Sequence, residues 1–485
     1  MKVLMIASES VPLIKTGGLG DVVGALAGAL ARGGVQTAVA LPAYQAVLDR
    51  FPGEPTALEF TVSLNRRKVS ATVLKATVEG GVPAFLIRND DYFARPGLYG
   101  TAKGDYSDNA ARFAFFSKAA LELAAATGPW DVLHCHDWQS ALVPVLSRLG
   151  AAKQSAKTVL TIHNLAHQGL FAYSEWPLLG LDPIYFTPKY LEFYGKINLL
   201  KGGILFADAL TTVSRKYAEE ILTPEYGCGL EGVLAERKRD LRGILNGVDY
   251  REWNPESDPY VKKLYSAANL AGKAECKNDL QQIYGLPQRS AAPLLGIVSR
   301  LADQKGIDLL LEVLDDLLRM DLQIVLLGAG DQRYQDLLAK LPSAHPKRIG
   351  VEIGFDNALA HKIEAGADIF LMPSRYEPCG LNQIYSLKYG TVPVVRATGG
   401  LDDTIEDFDP LSGKGNGFKF AEYSGEAFLS AIKRALAVYV NEKAWKQVVA
   451  NGMAADFSWQ RSAADYLQLY RQVTGTRATT AQLRA

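Results

Sequence analysis

Short apolar runs at residues 3–7, 37–41, 84–87, 132–136, 158–162 and 209–213 alternate with longer stretches whose apolar residues recur every three or four positions. The runs have strand length and the longer stretches helical spacing, so the first half of the chain is predicted to alternate strand and helix. Residues 3–7 lead through a glycine-rich turn into a helix over 21–31 and then a second strand. A helical crossover reverses the chain between two strands, so these strands must lie parallel. The first half is predicted to be a doubly wound sheet.

A second series starts after Pro293, with strands at 294–298 and 323–327, a helix over 306–318 between them, and further strands at 369–372 and 392–395. A single sheet would need more strands than usual, so this series predicts a second Rossmann-like domain. The turn-rich Asn246-Gly247-Val248-Asp249 marks the expected boundary, which gives domains over residues 1–245 and 246–457. In 458–485, Trp459, Ala463, Tyr466, Leu467 and Tyr470 fall at helical spacing and predict one amphipathic helix before a polar tail. Two α/β domains of this kind face a cleft at the carboxyl ends of their strands, where ligands bind.

Composition narrows the function. Lys plus Arg and Asp plus Glu each number 52, so there is no basic excess with which to hold nucleic acid or an anionic membrane. The four cysteines, Cys135, Cys228, Cys276 and Cys379, lie far apart with no CxxC pair, which argues against a disulfide scaffold and for a reducing cytoplasm. No segment reaches the roughly 18 uninterrupted apolar residues of a membrane helix.

Three constellations carry candidate chemistry, each directly after a predicted strand. In Lys15-Thr16-Gly17-Gly18-Leu19-Gly20-Asp21, glycines let backbone N–H groups approach an anion at a helix N-terminus, and Lys15 adds a mobile charge. Gly18, Gly20 and Gly24 leave one residue too many in the second gap for a dinucleotide-binding fingerprint. Arg300 and Lys305 put one cation at a strand end and one at a helix start, where both can converge on a diphosphate. In Pro373-Ser374-Arg375-Tyr376-Glu377-Pro378-Cys379-Gly380-Leu381-Asn382, a helix beginning near Gly380 would aim N–H groups at a phosphate, and Glu377 could accept hydrogen bonds from sugar hydroxyls. The sequence shows no evident basic residue to activate Cys379, which reads as packing rather than a nucleophile. His134 and His136 share one strand face but have no further ligand cluster, and Asp407-Phe408-Asp409 sits among turn residues, so no metal site is expected.

These motifs, together with Asp108-Asn109, Arg112-Phe113, His134 to Trp138, His163-Asn164 and Thr398-Gly399-Gly400-Leu401, make nearly the whole chain resemble the bacterial glycogen synthases, a family shared with plant starch synthases. The resemblance implies the GT-B arrangement of two Rossmann-like domains, with the C-terminal helix crossing back to the first. It implies glucose transfer from ADP-glucose to the non-reducing end of an α-1,4-glucan, with retention and without a metal or other cofactor. Arg300 and Lys305 would hold the diphosphate and stabilise the leaving group, and Glu377 would hold the donor glucose. Cys379, Gly380, Leu381 and Asn382 would line the donor, and His163 would sit beside the reacting carbon. Lys15, Gly18 and Asp21 would meet the donor from the first domain, with Asn246 near the hinge. Asp137, Trp138, Asn164 and Tyr99 would lie towards the glucan. One donor touching both domains implies that the cleft closes.

Two positions depart from related retaining transferases. Where a second Glu often follows the first by eight residues, this chain has Tyr385. The aromatic residue after Gly354, expected to stack on the base, is Phe355 where Tyr is common, so a hydroxyl contact is lost. An epimerase or a transferase using another donor would share the fold and the phosphate contacts. The acceptor-side residues favour a glucan synthase over these, and the Arg300, Lys305 and Glu377 set argues against a non-catalytic glucan-binding module.

Overall fold

The computed structural model describes residues 1–101, 103–150 and 155–476. The chain divides into two compact units, one formed by Met1–Gly247 with the segment from Trp459 onward and the other by Val248–Ser458.

The first unit is built on a nine-stranded sheet. Its strands are β1 (Lys2–Ile6), β2 (Gln36–Pro42), β3 (Glu54–Leu64), β4 (Arg67–Thr77), β5 (Pro83–Arg88), β6 (Val132–His136), β7 (Lys157–Ile162), β8 (Ala209–Thr212) and β9 (Leu241–Gly243), in the order β9-β8-β7-β6-β1-β2-β5-β4-β3. Strands β9 to β5 in that order run parallel, and β5, β4 and β3 pair antiparallel. The doubly wound expectation therefore holds for the centre of the sheet, and a long hairpin extends its edge. The parallel strands are buried on both faces, which is why they read as unbroken apolar runs.

Helix α1 (Gly18–Arg32) follows β1, and its inner positions are alanines, glycines, valines and leucines that let it sit close to its neighbours. Helix α2 (Asn109–Thr127) contributes the buried Phe113, Phe115 and Phe116.

The second unit has a six-stranded, all-parallel sheet of β10 (Leu294–Leu301), β11 (Gln323–Gly330), β12 (Ile349–Ile353), β13 (Ile369–Met372), β14 (Val392–Arg396) and β15 (Phe418–Phe420), in the order β12-β11-β10-β13-β14-β15. Helix α3 (Ile307–Leu318) lays Leu309, Leu310, Val313 and Leu317 into a core shared with Leu295, Ile297, Leu326 and Phe428. Each such side chain contributes about 1.5–3 kcal/mol by leaving water. In β10 and β11, Ser299 pairs with Gly328 and Leu301 with Gly330, so both strands end level and the loops beyond them start side by side. Helix α4 (Asn382–Lys388) follows β13.

Helix α5 (Trp459–Thr474) belongs to the first unit, packs on α1, and buries Trp459, Tyr466 and Tyr470. The Tyr470 hydroxyl lies 2.8 Å from His134 Nδ1 on β6. No helix among the described residues is long and apolar enough to cross a membrane.

Candidate active site

In the first unit, the chain leaving β1 turns back on itself around Glu9. This buried carboxylate accepts from the Thr16 backbone N–H, from the Thr16 hydroxyl at 2.8 Å and from the Tyr99 hydroxyl at 2.5 Å. The turn that carries Lys15 and Gly18 is thereby tied at its base. Tyr99, expected towards the glucan, has its hydroxyl on Glu9 and 2.7 Å from Ser8 Oγ, so it braces this turn. Lys15 Nζ meets Asp21 Oδ1 at 2.9 Å in a half-exposed ion pair.

The glycines divide by function. A Cβ at Gly18 would meet nothing within 4 Å, so the start of α1 is open. One at Gly20 would come 2.7 Å from Lys15 Cβ, and one at Gly24 2.5 Å from the Val11 carbonyl oxygen. The second and third glycines thus let α1 press against the turn before it, which explains a spacing that fits no dinucleotide fingerprint.

At the end of β6, Asp137 adopts a left-handed backbone with φ 54°, a conformation Asp tolerates better than most residues. This turns its carboxylate inward, where it accepts the His163 backbone N–H at 2.7 Å. Burial pushes the Asp137 carboxyl up to about 7, against the lowering effect of the backbone N–H groups of His163 and Asn164. Asp137 therefore holds the loop beyond β7 in place. The Asn164 side chain closes a local turn by accepting from the Ala166 N–H at 3.1 Å. Trp138 is only partly exposed, with Phe113 edge-on at 4.8 Å and Phe171 at 5.7 Å.

The His134 and His136 rings lie in tilted contact, centroids 4.2 Å apart, inside the unit. His134 is held by Thr161 Oγ1 at 2.6 Å and by Tyr470, and His136 Nδ1 lies 3.0 Å from His163 Nε2. Burial holds His134 and His163 near 3 and His136 well below its ordinary value, so all three rings are neutral at neutral pH. Among the described residues no group of three or more His, Cys, Asp or Glu side chains could hold a metal ion. Asp407 is occupied by Arg434 at 2.6 Å and by the Lys419 N–H at 2.7 Å. Asn246 is buried, and its side-chain oxygen has no hydrogen-bond partner among the described residues.

In the second unit, Arg300 stands exposed near the end of β10 and donates to Gln304 Oε1 at 3.1 Å. Lys305, in the turn before α3, pairs with Glu377 at 2.5 Å, and Ser374 Oγ donates to the same carboxylate at 3.2 Å. This geometry needs Gly306, whose φ of 70° is left-handed and whose Cβ would stand 2.0 Å from the Pro373 carbonyl oxygen. The loops are further stitched by Gln304, whose carbonyl accepts the Arg375 N–H at 2.8 Å, and by Asn382, which donates to the Val298 carbonyl at 2.8 Å.

Around Glu377 the backbone is packed to contact. A Cβ at Gly399 would lie 2.0 Å from the Glu377 carbonyl oxygen and one at Gly400 2.0 Å from that of Cys379, which accounts for both glycines of the Thr398 to Leu401 motif. Cys379 is buried and Gly380 is left-handed at φ 70°. Helix α4 starts at Asn382 with Leu381 as its N-cap, two residues later than the sequence predicts, because left-handed Gly380 delays it. Tyr385 lies flat on Trp253 at 3.8 Å and 3°, with His361 on the other side of the indole. Phe355, just beyond β12, is a large apolar side chain that is 88% exposed.

Sequence reasoning missed the role of Glu9, the bond from Ser374 to Glu377 and the partnership of His136 with His163. Glu9 reads only as the charge that ends an apolar run, since its partner Tyr99 is 90 residues away.

Comparison with known proteins agrees with this geometry. A family model described as the starch synthase catalytic domain matches residues 2–236, and one described as glycosyl transferases group 1 matches residues 283–450. The chain is 50% identical to a glycogen synthase from Koribacter versatilis, covering 99% of each chain. It is also 50% identical to one from Anaeromyxobacter dehalogenans, over 97% of this chain and 99% of the relative. Its structure matches the catalytic domain of starch synthase IV from Arabidopsis thaliana bound to ADP and acarbose, with TM-score 0.89 and 34% identity over 98% of this chain and 99% of that one. A sucrose-phosphate synthase from Thermosynechococcus elongatus shares the fold alone, at TM-score 0.62 and 18% identity. With two Rossmann-like units, cations at the ends of their strands and half its residues in common with full-length relatives, the chain belongs to the glycogen synthase and starch synthase family of GT-B glycosyltransferases.

Proposed function

We propose that the protein transfers glucose from ADP-glucose to the non-reducing end of an α-1,4-glucan such as glycogen, retaining the anomeric configuration, in the cytoplasm. The observation that carries this reading is the Lys305–Glu377 pair, held at 2.5 Å by loops that leave β10 and β13 side by side, with Arg300 exposed nearby. A diphosphate arriving here exchanges Lys305 from Glu377 to its own oxygens, and Arg300 adds a planar fork. Glu377, released from Lys305, then accepts from the hydroxyls of the donor glucose. The backbone of Cys379, Gly380 and Leu381, together with Asn382, lines the donor on this side, and Phe355 offers its face to the base.

As the bond to the anomeric carbon breaks, negative charge grows on the departing diphosphate. Arg300 and Lys305 are already in place to meet it, which is electrostatic catalysis of leaving-group departure. In the first unit, Lys15, Gly18, Asp21 and Asn246 are assigned to the donor and Trp138 and Asn164 to the glucan. Asp137 positions His163, which we assign to the side of the sugar. The bound ADP and acarbose of the Arabidopsis relative support a nucleotide donor and a glucan-like acceptor.

The test is transfer of labelled glucose to glycogen from ADP-glucose and from UDP-glucose in parallel, with EDTA present. Label in the polysaccharide from ADP-glucose is expected. Incorporation from UDP-glucose alone would overturn the donor assignment, and none from either, with folded protein, would overturn the reaction.

A further inference from the structure

The histidine column in the first unit has a chemical consequence for His163, and this inference rests on the assignment of His163 to the sugar. His136 Nδ1 and His163 Nε2 are 3.0 Å apart, with ring centroids at 5.3 Å. Both rings are buried and neutral, so one hydrogen bond joins them, and only one of the two nitrogens carries its proton.

The direction of that bond follows from the other end of His136. Its Nε2 is buried and meets no hydrogen-bond partner among the described residues. A proton there would be an N–H sealed from water, the kind of orphan that native structures avoid most. The proton therefore belongs on Nδ1, where it has an acceptor. His136 is itself firmly seated, since its backbone N–H donates to Ser140 Oγ at 2.7 Å and its ring packs at a tilt against His134.

We infer that His136 is a positioning residue for His163: it donates its Nδ1–H to His163 Nε2, which fixes the His163 ring and keeps that ring's own proton on Nδ1. His136 and Asp137 then act as adjacent clamps. Asp137 holds the His163 backbone N–H and His136 holds the ring, and each reaches across from the end of β6 to the loop after β7.

Three substitutions separate this role from simple packing. In His136→Asn the amide nitrogen falls near the position of Nδ1 and can still donate. In His136→Gln it falls near that of Nε2, and His136→Leu donates nothing. The Asn variant is expected within about threefold of the parent kcat. The Leu and Gln variants should lose about 10²-fold in kcat, the cost of a reacting group displaced by about an ångström, with KM for ADP-glucose unchanged. ADP affinity by calorimetry serves as the check on folding. An Asn variant no better than the Leu variant would overturn the inference, as would a folded Leu variant with the parent kcat.

The tautomers are read independently of activity from ring nitrogen shifts of protein labelled with ¹⁵N-histidine, which has only six histidines. His136 and His163, assigned by difference with His136→Asn and His163→Asn, should both carry their proton on Nδ1. A His163 proton on Nε2 would refute the inference even if transfer proceeds. Absence of transfer in the parent protein with both protons on Nδ1 would instead discard the functional reading and keep the tautomer assignment.

Discussion

Gly306→Ala tests whether the loop geometry around Lys305 and Glu377 carries the activity. The added methyl meets two penalties. At φ 70° a residue with a Cβ is strained by about 1–2 kcal/mol. The Cβ would also stand 2.0 Å from the Pro373 carbonyl oxygen, so two backbone segments must part by more than about 1 Å to restore contact distance. Overpacking of this kind adds about 1–3 kcal/mol. Lys305 is the next residue on one of those segments, and Glu377 lies four beyond Pro373 on the other. A displacement of about 1 Å between a reacting group and its partner lowers turnover about 10²-fold. The variant should therefore unfold its second unit at lower urea, by about 2–5 kcal/mol in total, and show kcat reduced about 10²-fold at a temperature where it remains folded. A folded Gly306→Ala protein with kcat within threefold of the parent would refute the claim that this loop contact sets the donor site.

Three further outcomes follow from the same structure. Arg300→Ala and Lys305→Ala should each cut kcat by about 10²–10³, and Lys305→Ala should also lower stability because it strands the buried Glu377, whereas exposed Arg300 can be lost without that effect. Equal melting temperatures for the two variants would contradict the assigned pairing. For Asp137, burial raises the folded carboxyl to about 7 while the unfolded one titrates near 3.9, so the parent protein loses stability between about pH 4 and 7 and the full penalty stays above pH 7. Asp137→Asn keeps the acceptor for the His163 N–H and tolerates the left-handed backbone, so it should melt above the parent at pH 8 and lose that advantage towards pH 4; an advantage that does not change with pH would rule out the titration. Tyr470→Phe removes the partner of buried His134 Nδ1 and should cost about 1–3 kcal/mol in urea unfolding of the first unit, and an unchanged midpoint would show that this bond contributes nothing.

The parallel strands were legible because burial on both faces leaves a continuous apolar run, as at residues 3–7 and 294–298. The β3–β4 hairpin was not read. Its strands are half solvated and carry charges such as Glu59 and Lys68, although alternation through 61–64 and 70–73, with Asn65 between them, was a signal for it. Arg300, Lys305 and Glu377 could be picked out because each follows an apolar run. Their pairing could not, since Lys305 and Glu377 are 72 residues apart and meet only because β10 and β13 are neighbours. The same holds for Glu9 with Tyr99, and for His136 with His163, which adjacent strands bring together across 27 residues.

Glucosyl transfer with retention is tested most directly by a proton NMR time course of the protein with ADP-glucose and a short maltooligosaccharide, following the anomeric signals. Loss of the ADP-glucose anomeric signal should be matched one for one by a new α-1,4 anomeric signal and by ADP. A β-linked product, free glucose released without chain growth, or no consumption of ADP-glucose by folded protein would contradict the account.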